Sequence, residues 1–489
     1  MATICACNST VSQAEVSPQW PQFRGPGSRG VAEAAKPPVQ FGSETNLLWK
    51  VEVPAGHSSP IVVDDRIVFN GAEGKALLTC AVDRKTGRPL WRMEVTVDKL
   101  EKFHEVNSAA PCTPVTDGKR IFSYLPSFGV IAYDLDGREQ WRTPLPFPQT
   151  YRGQGSGASP LLASGFVVIE LPLDQERQVI ALRASDGTQA WKALQPMRQM
   201  GWATPVHWKD ENGDSVGVAF GGQFSAYRLS DGKELWWVGG LGAEACATPV
   251  VVDGRILLSA AGVQGEPANM TLPPDFNEAL KLWDKNGDGL IVRSEIPPDY
   301  LLTDRKAGGK GDMKLRQMLG WFQREESDRG YNREGWGKLQ EMLRGFRDGE
   351  LNRPNLMLVR VGGQGEVTKT HVNWQDGRGV PEIPSPLVYR DRIYLVRNGG
   401  LLACRNLANG KVIFDERIEA PGGYFASPIA ADGRLYLASD RGMITVVEAG
   451  DQLHVLARND VGEPVFASPA AVDGALYIRG SQHLWAFGR

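Results

Sequence analysis

The sequence predicts an all-β chain, an eight-bladed β-propeller closed by an N-terminal strand, with a small α-helical insertion in the fifth blade. Three observations carry this. First, Ser/Thr-Pro recurs eight times, at Ser59-Pro60, Thr113-Pro114, Ser159-Pro160, Thr204-Pro205, Thr248-Pro249, Ser385-Pro386, Ser427-Pro428 and Ser468-Pro469. Successive prolines lie 54, 46, 45, 44, 137, 42 and 41 residues apart, and a period near 40–45 residues with four short strands per unit is a propeller signature. Second, a strand–turn–strand element recurs, seen most fully in Ala81-Val82-Asp83-Arg84-Lys85-Thr86-Gly87-Arg88-Pro89-Leu90-Trp91. Third, 56 glycines and 32 prolines suit many short strands joined by turns.

The hairpin element returns from Ala132 through Asp136-Gly137 to Trp141, from Ala181 through Asp186-Gly187 to Trp191, and from Ala226 through Asp231-Gly232 to Trp236. A weaker copy runs from Cys404 through Asn409-Gly410 to Phe414. Glycine permits the positive φ of a tight turn. In the seventh unit the strands read as Pro428 to Ala431, Arg434 to Ala438, Met443 to Glu448 and Gln452 to Ala457. The eighth unit has three strands, ending at Leu484-Trp485-Ala486-Phe487, and a spare strand, Leu47 to Val53, precedes the first Ser-Pro. That strand is expected to complete blade eight and remove its unpaired edge. Trp20-Pro21-Gln22-Phe23-Arg24-Gly25-Pro26-Gly27 would be a strap across the bottom or side.

The long interval places an insertion of about 90 residues between the second strand of unit five (Arg255 to Ala260) and its third (about Leu356 to Val361). The chain is thus divided into 1–19 (an export-signal remnant or disordered tail), 20–262 (strap, closing strand and blades one to five in part), 263–354 (helical insertion) and 355–489 (the remaining blades). Amphipathic spacing predicts helices at Phe276 to Trp283, Met313 to Phe322 and Trp336 to Phe346. The loop between strands two and three should put this insertion as a cap over one mouth of the channel.

Within the cap, Asp284-Lys285-Asn286-Gly287-Asp288-Gly289-Leu290-Ile291-Val292-Arg293-Ser294-Glu295 matches a twelve-residue EF-hand loop. Asp284, Asn286 and Asp288 offer side-chain oxygens, Leu290 a carbonyl and Glu295 a bidentate carboxylate for calcium. Pro297 and Pro298 stop an exiting helix. The partner hand, near Glu325 to Trp336, has Gly335 where the bidentate carboxylate belongs. A structural calcium fits this pattern better than a sensor.

A net charge of −3 gives no electrostatic case for nucleic acid or an anionic membrane. No apolar run of about 18 residues exists to span a bilayer as a helix. Six scattered cysteines, Cys5, Cys7, Cys80, Cys112, Cys246 and Cys404, lack zinc-type spacing. Ser12-Gln13-Ala14 is a small-x-small pattern like the end of an export signal, without the basic leader. An exported, periplasmic or cell-surface location is therefore expected, with a truncated start or a lipidated Cys as open alternatives.

The hairpin series resembles the tryptophan-docking repeat of quinoprotein (PQQ-like) propellers, from about Leu47 to Arg489 outside the insertion. The resemblance implies that the Trp residues clamp neighbouring blades. With its Trp-Pro-Gln-Phe-Arg-Gly-Pro opening and EF-hand, the chain is similar to uncharacterised exported bacterial members. PQQ-dependent alcohol dehydrogenases carry two adjacent cysteines beside the quinone, and this chain has no Cys-Cys. Their catalytic Asp and calcium ligands have no matching positions. The resemblance to propellers without these features implies a protein-binding disc.

A pocket should lie at the mouth beneath the cap. The residue three before each repeat proline would ring it: His57, Pro111, Gly157, Trp202, Cys246, Ile383, Phe425 and Phe466. The nearby candidates are His104, Glu105, Asn107, Tyr151, Arg152, Gln154, Glu244 and Tyr424. Aromatic rings with Arg, His and Glu suit a carbohydrate, a quinone or a peptide. The leading reading is an exported scaffold binding a protein or small-molecule ligand; the alternative is a PQQ-dependent or carbohydrate-directed oxidoreductase.

Overall fold

The computed structural model describes residues 20–150, 153–173, 177–195, 200–211, 213–262, 271–303, 313–321, 330–348 and 353–488. Eight sheets form the ring, each with a four-stranded antiparallel core. Their innermost strands are Ile61–Val63, Val115–Thr116, Leu161–Ala163, Val206–Asp210, Val250–Val252, Leu387–Tyr389, Ile429–Ala431 and Ala470–Val472. The closing strand is Leu47–Glu52, antiparallel to His483–Phe487 at the outer edge of blade eight. Strand ends move slightly from the sequence reading. The largest shift is the outer strand of blade seven, Val455–Asp460, because the turn before it extends through Gly450 and Asp451.

The Ser/Thr-Pro repeat builds a closed collar. The backbone N–H of Ser59 donates to Thr113 Oγ1 (2.9 Å), and that of Thr113 to Ser159 Oγ (2.9 Å). The series continues through Thr204, Thr248, Ser385, Ser427 and Ser468. Ser468 N–H then donates to Ser59 Oγ at 3.0 Å, which closes the circle. Each blade is thus pinned to the next by one buried backbone-to-hydroxyl bond. The proline that follows has no N–H that would need a partner.

The tryptophan repeat works further out. In every blade a β-bulge skips the outer-strand residue before the clamp position, for example Leu90 before Trp91 and Gln140 before Trp141. A bulge re-aims the side chain that follows it. Trp49, Trp91, Trp141, Trp191 and Trp374 thereby lie against the hairpin of the next blade. Their Nε1 groups donate to the carbonyls of Arg84, Leu135, Ala184, Leu229 and Leu407. Their rings cover Gly87, Gly137, Gly187, Gly232 and Gly410, where a Cβ would stand 2.4–2.8 Å from the indole. The glycine is required twice over: at Gly187, φ is +74° and the ring leaves no room for a methyl group.

Trp236 departs from its place in this series. It is fully buried beside Trp208 and Phe224, and its Nε1 has no hydrogen-bond partner among the described residues. The hairpin it would meet in blade five is lengthened. Gly365–Glu366 there adds to the outer strand of blade four in parallel, and Val367 N–H donates to Trp237 O.

The strap crosses the channel. Trp20 pairs with Val62 of blade one, and Pro21 O accepts from Thr116 N–H of blade two. Pro26–Ser28 lies against the inner strand of blade four, Arg24 reaches Pro386 O of blade six, and Val31–Ala32 pairs in parallel with Ala430 and Ala431 of blade seven.

The insertion carries helices α1 (Phe276–Trp283), α2 (Leu315–Trp321) and α3 (Arg333–Asp348). Asp275 caps α1 by accepting from Glu278 N–H. Trp283, Ile291, Leu315, Leu319, Trp336 and Leu343 belong to a core of its own. Its base lies on the collar face, since Ala261, next after the second strand of blade five, bridges Glu244 in the connection from blade four.

Candidate functional site

The collar fixes one level around the ring, and the residues two positions before its Ser/Thr members stand just above it. On one side these side chains touch in series. The His57 imidazole stacks on Phe466 with centroids 4.4 Å apart and planes at 14°, and Phe466 meets Phe425 at 5.3 Å. His57 N–H donates to Ser108 Oγ at 3.0 Å, fixing the loop. Burial, together with the nearby Arg479 cation, lowers the His57 pKa to about 4, so the ring is neutral at pH 7. Arg479 beneath it is fully buried and donates to the carbonyls of Ser58, Asn70 and Pro54, with its guanidinium over Phe69.

Another side of the mouth gathers the connections after blades one and two. Asn107 Nδ2 donates to Gln154 O (3.0 Å) and Ser156 O (2.9 Å), and His104 N–H donates to Gln154 O. Trp202 donates from Nε1 to Gly155 O at 2.7 Å and lies on Gly157. His104, Gln154 and Trp202 therefore share one cluster, with Glu105 exposed at its edge. Tyr151 and Arg152 lie outside the described residues. Glu244 lies in the short parallel pair with Met200–Gly201, which Trp202 N–H extends by donating to Ala245 O. Tyr424 is buried in the core of blades six and seven, its hydroxyl donating to Ala420 O; its neighbour Phe425 faces the mouth.

Sequence reasoning missed Glu101. Its carboxylate is buried and accepts from Ser156 N–H (3.1 Å) and Ser156 Oγ (3.0 Å), holding the second loop down. Burial raises its pKa to about 7, against the lowering effect of the Ser156 bonds. It faces Tyr124 and Cys112, both pushed up chiefly by burial. A lone Glu in a polar loop carries no pattern that would mark it. Burial lifts the Cys80 thiol to about 11 and the Cys404 thiol to about 12, away from the reactive thiolate.

The cap holds the candidate metal loop. Asp284 accepts from Gly287 N–H and Gly289 N–H, Asp288 from Leu290 N–H, and Asn286 from Asp288 N–H. Glu295 accepts from Lys285 N–H and Val292 N–H, closing the loop on itself. Ile291 and Tyr331 exchange both backbone bonds at 3.0 and 2.9 Å. That bridge joins the candidate loop to the segment at Tyr331 and sets Tyr331 opposite loop position eight, four residues before Gly335. Among the described residues no three His, Cys, Asp or Glu side chains converge on one point. The donor set nonetheless fits a hard cation: three carboxylates and an amide, with oxygen lone pairs beyond those the N–H groups use.

A family model for PQQ-like repeats, described as outer membrane protein assembly factor BamB, matches residues 41–150 and 79–289, together half of the chain. The chain belongs to this family. Among solved structures it resembles BamB from Moraxella catarrhalis, at 11% identity over 91% of this chain and 99% of that one, with a TM-score of 0.54. It also resembles the quinohemoprotein alcohol dehydrogenase from Comamonas testosteroni, at 12% identity, 96% and 80% coverage and a TM-score of 0.53. A europium-containing methanol dehydrogenase matches at 11% identity, 96% and 98% coverage and a TM-score of 0.52. At these identities the likeness is one of fold. No curated protein matches the sequence.

Proposed function

We propose that this PQQ-like propeller is an exported binding scaffold. Its collar face takes a polypeptide partner, and calcium in the first EF-hand loop stiffens a cap over that mouth. The observation that carries the reading is the His57–Phe466–Phe425 stack. Adjacent, partly buried rings at a mouth give stiff apolar contact area at little entropic cost. The surrounding polar groups act as struts: Glu101, Asn107 and Trp202 all bond to the loops that shape the face. A neutral, stacked imidazole with Ser108 and Ala110 on its backbone is a contact group rather than half of a nucleophile–base pair. For calcium, the support is the spacing Asp284, Asn286, Asp288, Leu290 and Glu295 and the Ile291–Tyr331 bridge. For export, it is the small-x-small pattern near residue 14.

The test is selection of a random peptide library on the immobilised protein, repeated on a Phe425→Ala/Phe466→Ala variant. Peptides should enrich on the parent, and the variant should bind them at least ~30-fold more weakly, in line with two anchoring rings. Oligosaccharide binding with no peptide enrichment would move the reading to a carbohydrate ligand. A saturable spectral change on adding PQQ with calcium at tens of micromolar would replace it with the oxidoreductase.

A further inference from the structure

The strap leaves a cation in the channel core. Arg24 is fully buried, and of its guanidinium nitrogens only Nη2 finds partners, Pro386 O at 2.7 Å and Arg29 O at 3.3 Å. Nε and Nη1, which carry three N–H groups between them, have no acceptor among the described residues. Its contact with Pro386 O directs the side chain up the channel from the strap toward the collar, because Pro386 directly follows the collar residue Ser385.

The other two fully buried arginines leave only Nε without a partner among the described residues. Arg405 pairs with Asp376 at 2.9 Å and reaches two further carbonyls. Arg479 has three carbonyls and the face of Phe69. Among the described residues Arg24 has neither a carboxylate partner nor a ring beneath its guanidinium. Its backbone is also strained, with φ at +60° for a side chain that has a Cβ. A buried unpaired charge costs several kcal/mol, and here a strained residue bears that cost.

We propose that the channel between strap and collar is a binding site for a small monovalent anion, seated on Nε and Nη1 of Arg24. The anion supplies the missing charge and accepts the free N–H groups. Gly30 packs directly on the guanidinium: a Cβ there would stand 3.0 Å from Pro428 O and 3.2–3.3 Å from Nη2 and Nε. Bound anion also ties the strap, and through it blades six and seven, to the ring.

Crystals of the full chain soaked in sodium bromide test this directly. The proposal expects an anomalous peak within hydrogen-bond distance of Arg24 Nε and Nη1. In solution, replacing gluconate with chloride or formate at constant ionic strength should raise Tm by about 1–2 °C and saturate. Arg24→Met should lose the saturable rise and Arg24→Lys should keep part of it. Ordered water in place of bromide, or an equal chloride response in Arg24→Met, overturns the proposal. If Arg24→Met does not fold, the bromide peak in the parent protein decides alone.

Discussion

The ring and the cap are held by opposite strategies. The ring repeats two contacts around a circle, the collar hydrogen bond and the Trp-on-glycine clamp, so each interface resembles the next. The cap has a single small core and one doubly bonded bridge between its loops, Ile291 to Tyr331. Not every blade carries the full clamp: Trp236 lacks its hydrogen bond among the described residues, and Phe414 takes the position in blade six. The cap has no second copy of anything, which is why a metal would matter there. Stability in the ring is distributed among neighbours, while stability in the cap rests on a few residues.

The comparison can be broken most forcefully at a clamp. Trp191→Ala removes a buried indole, its bond to Leu229 O and the cover on Gly232, and should cost about 3–5 kcal/mol in denaturant unfolding. An effect below about 1 kcal/mol would mean that the clamps are dispensable. In the cap, Asp284→Ala/Glu295→Ala should abolish a calcium-dependent stabilisation of about 3–4 kcal/mol for ion at 100–1,000 times Kd. Hydrogen exchange of α1 and α3, measured with calcium and with chelator, reads this without interference from the ring.

Two groups at the mouth titrate in opposite senses. Glu101 has its folded pKa raised to about 7, so its contribution is fully present below about 4.5 and is lost as pH rises through 7. His57 has its folded pKa lowered to about 4, so its contribution is present above about 6.5 and lost as pH falls toward 4. Glu101→Gln should therefore gain about 2–3 kcal/mol relative to the parent at pH 8 and little at pH 4. His57→Phe should flatten the acid limb by about 2 kcal/mol. Parallel pH–stability curves for Glu101→Gln and the parent would refute the assignment. The smallest effect belongs to the collar: Ser427→Ala removes the acceptor for Ser385 N–H and should cost about 1 kcal/mol.

The fold was legible because propeller blades must repeat their boundary residues. Ser/Thr-Pro marks a strand start, and the glycine of Thr86-Gly87, Asp136-Gly137, Asp186-Gly187, Asp231-Gly232 and Asn409-Gly410 marks a turn that sterics impose on each of these copies. The sequence also locates the cap helices, since Phe276, Ala279, Leu280 and Trp283 share one face. The collar itself was not legible, because a Ser hydroxyl shows no sign of which blade's N–H it will accept. The mouth was legible only by position: His57, Phe425 and Phe466 follow from their offset to the prolines, and the structure brings them into contact. Tyr424 shares that offset to within one residue yet points into the core, where its hydroxyl donates to Ala420 O. Glu101, Arg24 and Arg479 matter through burial, which single residues in polar stretches do not advertise.

The strand that closes the ring pairs residues 47–52 with residues 483–487. This early strand thus finds its partner only once residues 483–487 have been made. Until then both ends of the array are exposed and able to pair with another molecule. Closure is consequently a long-range and slow event.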